Sequence, residues 1–280
     1  MKIDGKAIAQ HVLDGLSKRV GELREGGITP HLAVVLIGND ESSKAYVRQK
    51  ELKTQQIGAA ITIHRFQQNF SQDELLTLIE ELNNDPIVHG IIIQRPLPPQ
   101  IDKDKVTTTT VSEKDIDSFR EDSPFDPPVA LAVWRILREV HSHTDQSQIP
   151  LNHWLKTKRI VILGKGQTAG LPIIKLFLRR AVPLTIVDSK TENRQEALSH
   201  ADIIISAVGK PHVLTGTEIK QGAILIGVGI FRGEDEKMHG DYQEEVIMDK
   251  AGYYTPIPGG VGPVNVAMLL SNLIKAAETM

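Results

Sequence analysis

The chain has no cysteine. Disulfides, thiolate catalysis and cysteine-ligated metals are therefore excluded, and the composition fits a reducing compartment such as the cytoplasm. No apolar run approaches the ~18 residues of a membrane-spanning helix. The first residues carry Lys2, Asp4 and Lys6 and no signal-like apolar core. A large excess of either charge is also lacking, with 32 Lys and Arg against 35 Asp and Glu. A net charge of −3 argues against nucleic acid or a membrane surface as partner. Repeats and low-complexity tracts are missing too. His141 and His143 form a metal-like pair without a third ligand, so no metal site is expected. What is present is ordinary for a globular protein, with 40% hydrophobic and 24% charged residues. A length of 280 residues is enough for one large or two medium domains.

The most informative stretch runs from Arg159 to Pro172. Ile160–Leu163 reads as a short buried strand, Gly164, Gly166 and Gly170 follow within seven residues, and Leu171, Ile174, Leu176 and Phe177 begin a helical pattern. Glycine permits positive φ and close backbone approach to a ligand. A helix start supplies free N–H groups and the positive end of a dipole to a phosphate. The spacing Gly-x-Gly-x-x-x-Gly also describes a glycine turn in an ordinary βα unit, so context decides. A second strand ends on Asp188, 24 residues after Gly164, near the ~20 expected of a carboxylate that binds an adenosine ribose. Two further apolar strands, within 201–209 and 223–230, end in glycine-containing turns. The expectation is a parallel sheet with a ligand crevice at its carboxyl edge. Its ligand is a nicotinamide dinucleotide held by Gly164, Lys165, Gly166, Gln167, Thr168, Gly170, Asp188, Ser189, Val208, Gly209, Gly229 and Ile230.

The N-terminal half alternates helices and strands as well. Residues 4–25 read as an amphipathic helix and His31–Gly38 as a strand. A helix over about 43–57 places Tyr46 and Lys50 four apart on one face. Ser71 and Glu74 make a capping box ahead of Leu75, Ile79 and Leu82. Gly90–Gln94 reads as a buried strand ending on a polar side chain at a sheet's carboxyl edge. Lys114–Phe119 reads as a short acidic loop, and a helix begins near Val129. Residues 143–158 are mostly polar and read as a linker. A Pro/Gly loop over 254–263 precedes a final amphipathic helix.

Six motifs, in order and over nearly the whole chain, resemble the bifunctional methylenetetrahydrofolate dehydrogenase/cyclohydrolase family. They are Tyr46-Val-x-x-Lys50, Gly90-Ile-Ile-Ile-Gln94-x-Pro-Leu-Pro98, Lys114-Asp-Ile-Asp117, Gly164 through Pro172, Ala201-Asp-Ile through Gly209-Lys-Pro211, and Thr255-Pro-Ile-Pro-Gly-Gly-Val-Gly-Pro263. The resemblance implies two α/β lobes with an active-site cleft between them, the C-terminal one a Rossmann-type doubly wound parallel sheet. Residues 1–144, completed by a C-terminal helix at 262–280, would bind folate, and 145–261 would bind the dinucleotide. It further implies oxidation of 5,10-methylenetetrahydrofolate to the methenyl form and hydrolysis of that to 10-formyltetrahydrofolate, in a cytoplasmic homodimer. Lys50 would manage protons, its pKa lowered by desolvation and the adjacent cation. Gln94 would orient it, Tyr46 would stack on the folate rings, Asp117 would bind the pterin N–H groups, and Gly262 and Pro263 would line the folate slot. NADP is the family's cofactor.

The chain departs from the family pattern at several positions. Pro127-Pro128-Val129-Ala130 replaces a Pro-Cys-Thr-Pro segment, and Ser118 replaces the usual Gly after Asp117. Lys165-Gly166 replaces Arg-Ser, Asp188-Ser189 replaces His-Ser, Gly227 replaces an Asp, and Val264-Asn265 replaces Met-Thr. Asp188 favours a free ribose hydroxyl, hence NAD, whereas Lys165, Ser189 and Lys190 favour a 2′-phosphate. Two other readings compete with the bifunctional one: a member with a single activity, and a folate- or nucleotide-binding regulator without turnover.

Overall fold

The computed structural model describes residues 1–280. It opens with α1 (Gly5–Glu25), β1 (His31–Ile37), α2 (Glu41–Gln56), β2 (Ala60–Phe66), α3 (Gln72–Asn84), β3 (Gly90–Ile93) and α4 (Lys103–Thr109). Next come α5 (Pro128–Ser142), α6 (Leu151–Lys156), β4 (Ile160–Leu163), α7 (Gly170–Arg179), β5 (Thr185–Val187), α8 (Arg194–Ser199), β6 (Ile203–Ser206) and β7 (Ile224–Gly227). The last elements are β8 (Ile230–Arg232), β9 (Met238–Gly240), α9 (Glu244–Ile247), β10 (Tyr253–Tyr254) and α10 (Val261–Thr279). Packing divides the chain into two compact units, Gln10–Pro128 with Val266–Met280 and Met1–Ala9 with Val129–Asn265. No helix is long and apolar enough to cross a membrane.

The first unit holds a three-stranded parallel sheet in the order β2-β1-β3. Central β1 is covered on both faces, which is why Leu32-Ala-Val-Val-Leu-Ile37 is an unbroken apolar run. Edge strand β2 is only half-buried. The capping box forms: the Ser71 hydroxyl accepts from the Glu74 amide while the Glu74 carboxylate accepts from the Ser71 amide. Leu75, Ile79 and Leu82 then share one helix face and pack with Ala33, Val35, Ile91 and Ile93. The late segment of α10 belongs here as well. Its buried Asn272 donates to the carbonyls of Ile116 and Asp126, 3.0 Å each, and so ties the helix to the 116–126 loop.

The second unit holds a five-stranded parallel sheet in the order β10-β7-β6-β4-β5. β4, β6 and β7 are buried throughout and their side chains fill a core with Leu198, Leu214 and Ile247. Strand order reverses between β4 and β6, the topological switch point at which open α/β sheets bind ligands. Residues 143–158 are not an irregular linker: they contain α6, whose Trp154 and Leu155 are buried. The buried His141 ring lies 4.8 Å from the Trp154 ring and bonds the Gln146 carbonyl, and His143 Nδ1 bonds the Glu139 carbonyl. The final helix also starts inside the expected loop. Gly262 and Pro263 lie in its first turn, where a proline loses no intrahelical hydrogen bond.

Candidate functional site

In the first unit, α2 follows β1 and begins at Asp40, whose carboxylate accepts from the Ser43 amide at 2.7 Å. Tyr46 and Lys50 then stand one turn apart, Tyr46 half-buried and Lys50 only 7% exposed. Gln94 directly follows β3, and its amide still pairs with the Val35 carbonyl, 2.9 Å, so the side chain issues from a fixed backbone. Lys50 Nζ donates to Gln94 Oε1 at 2.9 Å, and Gln94 Nε2 donates to the Arg95 carbonyl at 2.7 Å. A carbonyl only accepts, so the second bond fixes which end of the amide faces the lysine. Burial holds the Lys50 ammonium below its ordinary value; the Asp117 carboxylate opposes this and is outweighed. Burial also pushes the Tyr46 phenol up.

Asp117 lies on a tight loop that the sequence underestimates. Ser118, at the usual glycine position, has φ +58°, the left-handed region that glycine adopts without strain. Its hydroxyl donates to the Phe125 carbonyl at 2.7 Å, a bond glycine lacks. The neighbouring Asp115 is buried and accepts from the amides of Phe119 and Arg120, at 3.3 and 2.8 Å. Burial pushes its carboxyl up to about 6, against those two amides, and the Asp117 charge adds to the rise. Arg95 stacks 3.8 Å over the Phe119 ring and donates to Thr107 Oγ1 at 2.9 Å. Burial lowers its pKa, while Asp117 and Asp115 raise it. Arg95 and Asp115 were missed as site neighbours, although both sit inside the motifs that flagged Gln94 and Asp117.

In the second unit the glycine turn sits at the switch point. Gly164 has φ +88°, and a Cβ there would fall 2.7 Å from the Ala207 carbonyl oxygen. A Cβ at Gly170 would fall 2.2 Å from the Gly164 carbonyl oxygen, so the start of α7 presses on the turn. Beside Gly166 lies open space. Ala169 caps α7 without a side-chain hydrogen bond; the Leu171 amide already donates to the Gly166 carbonyl and Pro172 has no N–H, so the helix start offers an anion its dipole rather than a row of free amides. These residues fit a dinucleotide: the two tight glycines set the turn, and the open one gives a phosphate access to backbone. Gln167 and Thr168 complete the exposed turn, and Ser189 is exposed after β5. Asp188 pairs with Lys165 at 2.8 Å and caps the Lys190 amide at 2.9 Å and the Thr191 hydroxyl at 3.3 Å. The Lys165 bond, then the Lys190 amide, depress its carboxyl to about 2.

Val208 and Gly209 follow β6, with Gly209 at φ +71°, and Gly229 and Ile230 follow β7. Gly227 has a local explanation. A Cβ there would lie 3.1 Å from the Tyr242 ring, whose hydroxyl donates to the Thr255 carbonyl at 2.8 Å. Tyr242 takes the space that a carboxylate at 227 would need. Gly262 and Pro263 are half-buried in the first turn of α10.

Residues 3–117 match the family model of the tetrahydrofolate dehydrogenase/cyclohydrolase catalytic domain, and residues 130–280 match that of the tetrahydrofolate dehydrogenase/cyclohydrolase NAD(P)-binding domain. The bifunctional protein FolD of Moorella thermoacetica is 39% identical over 285 residues, covering 99% of this chain and 98% of that protein. Among solved structures, the bifunctional FolD methylenetetrahydrofolate dehydrogenase/cyclohydrolase of Campylobacter jejuni superposes with a TM-score of 0.91 at 33% identity, over 100% of this chain and 99% of that one. The Trypanosoma brucei methylenetetrahydrofolate dehydrogenase-cyclohydrolase, complexed with NADP cofactor and inhibitor, gives 0.89 at 31% identity, over 100% of this chain and 97% of that one.

Proposed function

Because the chain belongs to the tetrahydrofolate dehydrogenase/cyclohydrolase family, we propose how its own residues carry the two activities. It is a bifunctional one-carbon enzyme: 5,10-methylenetetrahydrofolate is oxidised with NAD(P)+ to 5,10-methenyltetrahydrofolate, which is hydrolysed to 10-formyltetrahydrofolate. The bound dinucleotide supplies the hydride acceptor. Hydrolysis needs a base beside a cationic carbon, one that takes a proton from water without already being protonated. An amine at the ordinary lysine value of 10.5 fails that requirement near neutrality, and burial lowers Lys50 in the direction the requirement asks for. Gln94 accepts one hydrogen of the amine, and the Arg95 carbonyl locks Gln94 in turn, so the amine is held rather than left to rotate. Tyr46 stacks on the folate rings, Asp117 accepts from the pterin N–H groups, and Gly262 and Pro263 line the folate slot. Folate is assigned to residues 1–144 with 262–280 and the dinucleotide to 145–261, although by packing residues 1–9, 129–144 and 262–265 group with the five-stranded sheet. The observation that carries this reading is the hydrogen bond from the buried Lys50 to Gln94.

NADP is the cofactor we assign. An unpaired carboxylate after the second strand would bind a ribose hydroxyl and repel a 2′-phosphate. Here Lys165 neutralises Asp188, and both Asp188 oxygens already accept from this chain's own donors. Lys165, Ser189 and Lys190 then serve as donors to the phosphate. The NADP complex of the Trypanosoma brucei relative supports the assignment. A cytoplasmic homodimer is the assembly expected of the family, and light scattering on the purified protein checks it. The functional test is two assays on one preparation: reduction of NADP and of NAD by methylenetetrahydrofolate, and loss of methenyl absorbance without dinucleotide. Both activities are expected, with kcat/KM higher for NADP; the absence of either activity overturns the bifunctional assignment, and an NAD preference overturns the cofactor assignment.

A further inference from the structure

Asp241 is fully buried, and no motif in the sequence points to it. It follows β9, the second strand of the β8–β9 hairpin, and its carboxylate turns back under the carboxyl end of β6. Oδ2 accepts from the Ser206 hydroxyl at 2.5 Å and the Val208 amide at 3.0 Å; Oδ1 accepts from the amides of Gly209 at 2.7 Å and Lys210 at 3.0 Å. The Asp241 carbonyl also accepts from the amides of Val213 and Leu214, at 2.8 and 3.2 Å. A Cβ on Gly229 would fall 2.3 Å from Asp241 Oδ2 and 2.4 Å from the Gly209 nitrogen. One carboxylate therefore gathers the two segments after β6 and β7. Both lie at the carboxyl edge of the five-stranded sheet, and the β6 segment borders the switch point, where the Val208 side chain lies 3.2 Å from the Cβ position of Gly164. A charge removed from water is tolerated when several hydrogen bonds saturate it. Three successive amides aimed at one anion hold the backbone of Val208–Lys210 in place.

We infer that Asp241 is the positioning residue of the dinucleotide site. It touches no cofactor. It fixes the backbone of Val208–Lys210 and the close approach of Gly229, so that the loop meets the ligand already shaped. The inference rests on the reading of the glycine-edged sheet as the dinucleotide site. Asparagine at 241 keeps the shape, but it replaces one acceptor oxygen by an N–H donor facing other donors. Misplacing a binding backbone by about 1 Å costs about 10- to 100-fold.

The experiment compares wild type, Asp241→Asn and Tyr242→Phe in the full chain. NADPH binding is read by fluorescence titration, hydrolysis by methenyl absorbance without dinucleotide, and stability by thermal melting. Tyr242 is the neighbouring buried residue, and its hydroxyl bonds to Thr255, so Tyr242→Phe removes a core hydrogen bond without touching the 208–210 loop. Asp241→Asn is expected to weaken NADPH binding by about 10-fold or more, with hydrolysis kept and Tyr242→Phe binding as wild type does. A purely structural role predicts that both variants lose stability and both activities in proportion, and that result overturns the inference. Wild type that binds NADPH, with Asp241→Asn binding equally, overturns the inference alone. Wild type that fails to bind overturns the site reading with it. If Asp241→Asn does not fold, amide exchange in the ligand-free wild type decides. Slow exchange at Val208, Gly209 and Lys210 is expected, and exchange as fast as an open loop's overturns the inference.

Discussion

The two sheets of this molecule place their candidate sites alike and build them differently. Both are parallel, and both present their candidate residues after the carboxyl ends of strands. The three-stranded sheet relies on side chains: a buried amine, the amide that grips it, and carboxylates on a strained loop. The five-stranded sheet relies on backbone: glycines without room for a Cβ, a helix start without a side-chain cap, and amides tied to an inward carboxylate. The first arrangement is tuned by desolvation, so protonation should control it. The second is tuned by steric closeness, so a single added methyl should disturb it. Changes in one sheet should therefore leave the other's activity in place.

The sharpest break is Lys50→Met. Hydrolysis should fall by about 100- to 10,000-fold, the range of general acid–base catalysis, while NADPH affinity stays within experimental error of wild type. Hydrolysis retained in that variant removes Lys50 from the mechanism. Gly170→Ala should do the reverse. Its Cβ would press on the Gly164 carbonyl, and relief of the clash costs about 1–3 kcal/mol of packing. NADPH affinity should fall by about tenfold or more, read by titration, with hydrolysis preserved; equal loss of both functions contradicts the division between sheets. Lys165→Met sharpens the cofactor side. Losing a charge-assisted bond of about 1.5–3 kcal/mol should cut kcat/KM for NADP about tenfold or more, while the Asp188 freed of its partner should keep or raise that for NAD. An equal fall for both cofactors would detach Lys165 from the 2′-phosphate.

The smallest effect is a slope. The folded Asp115 carboxyl, at about 6, lies above its ordinary value of 3.8. Its protonation therefore favours the folded state: the contribution is complete below 3.8 and is lost as pH rises through about 6. Denaturant unfolding should show wild type losing stability across that window relative to Asp115→Asn, with the two curves running parallel above it. Parallel curves throughout would show that Asp115 is not perturbed.

Legibility in the sequence follows the same division. Apolar runs such as Leu32–Ile37 and Ile160–Leu163 announce buried parallel strands, and Ser71 with Glu74 announces a helix start, because local chemistry alone determines them. The hairpin of β8 and β9 was missed: a segment rich in Arg, Glu, Asp and Lys carries no two-residue hydrophobic alternation. β10 was hidden because only two residues join the ladder. α6 was hidden because its buried Trp154 and Leu155 stand among polar neighbours. In the site, Lys50 and Gln94 are 44 residues apart and meet in a hydrogen bond, a pairing that family motifs suggest and spacing alone does not. The Lys165–Asp188 pair recasts an acid that reads in isolation as a ribose ligand. Asp241 gave no signal: an acid after glycine in a polar stretch looks like any turn, and only the fold brings three amides to it.

The account depends most on the protonation of one amine. Nuclear magnetic resonance of the full chain with isotope-labelled lysine, titrated beside a methenyl hydrolysis profile, measures it directly, with the Lys50 signal assigned by its absence in Lys50→Met. The account predicts a Lys50 signal that titrates below 10.5 and hydrolysis that rises through the same pH interval. A Lys50 signal that titrates at the ordinary value, with hydrolysis indifferent to it, would contradict the account.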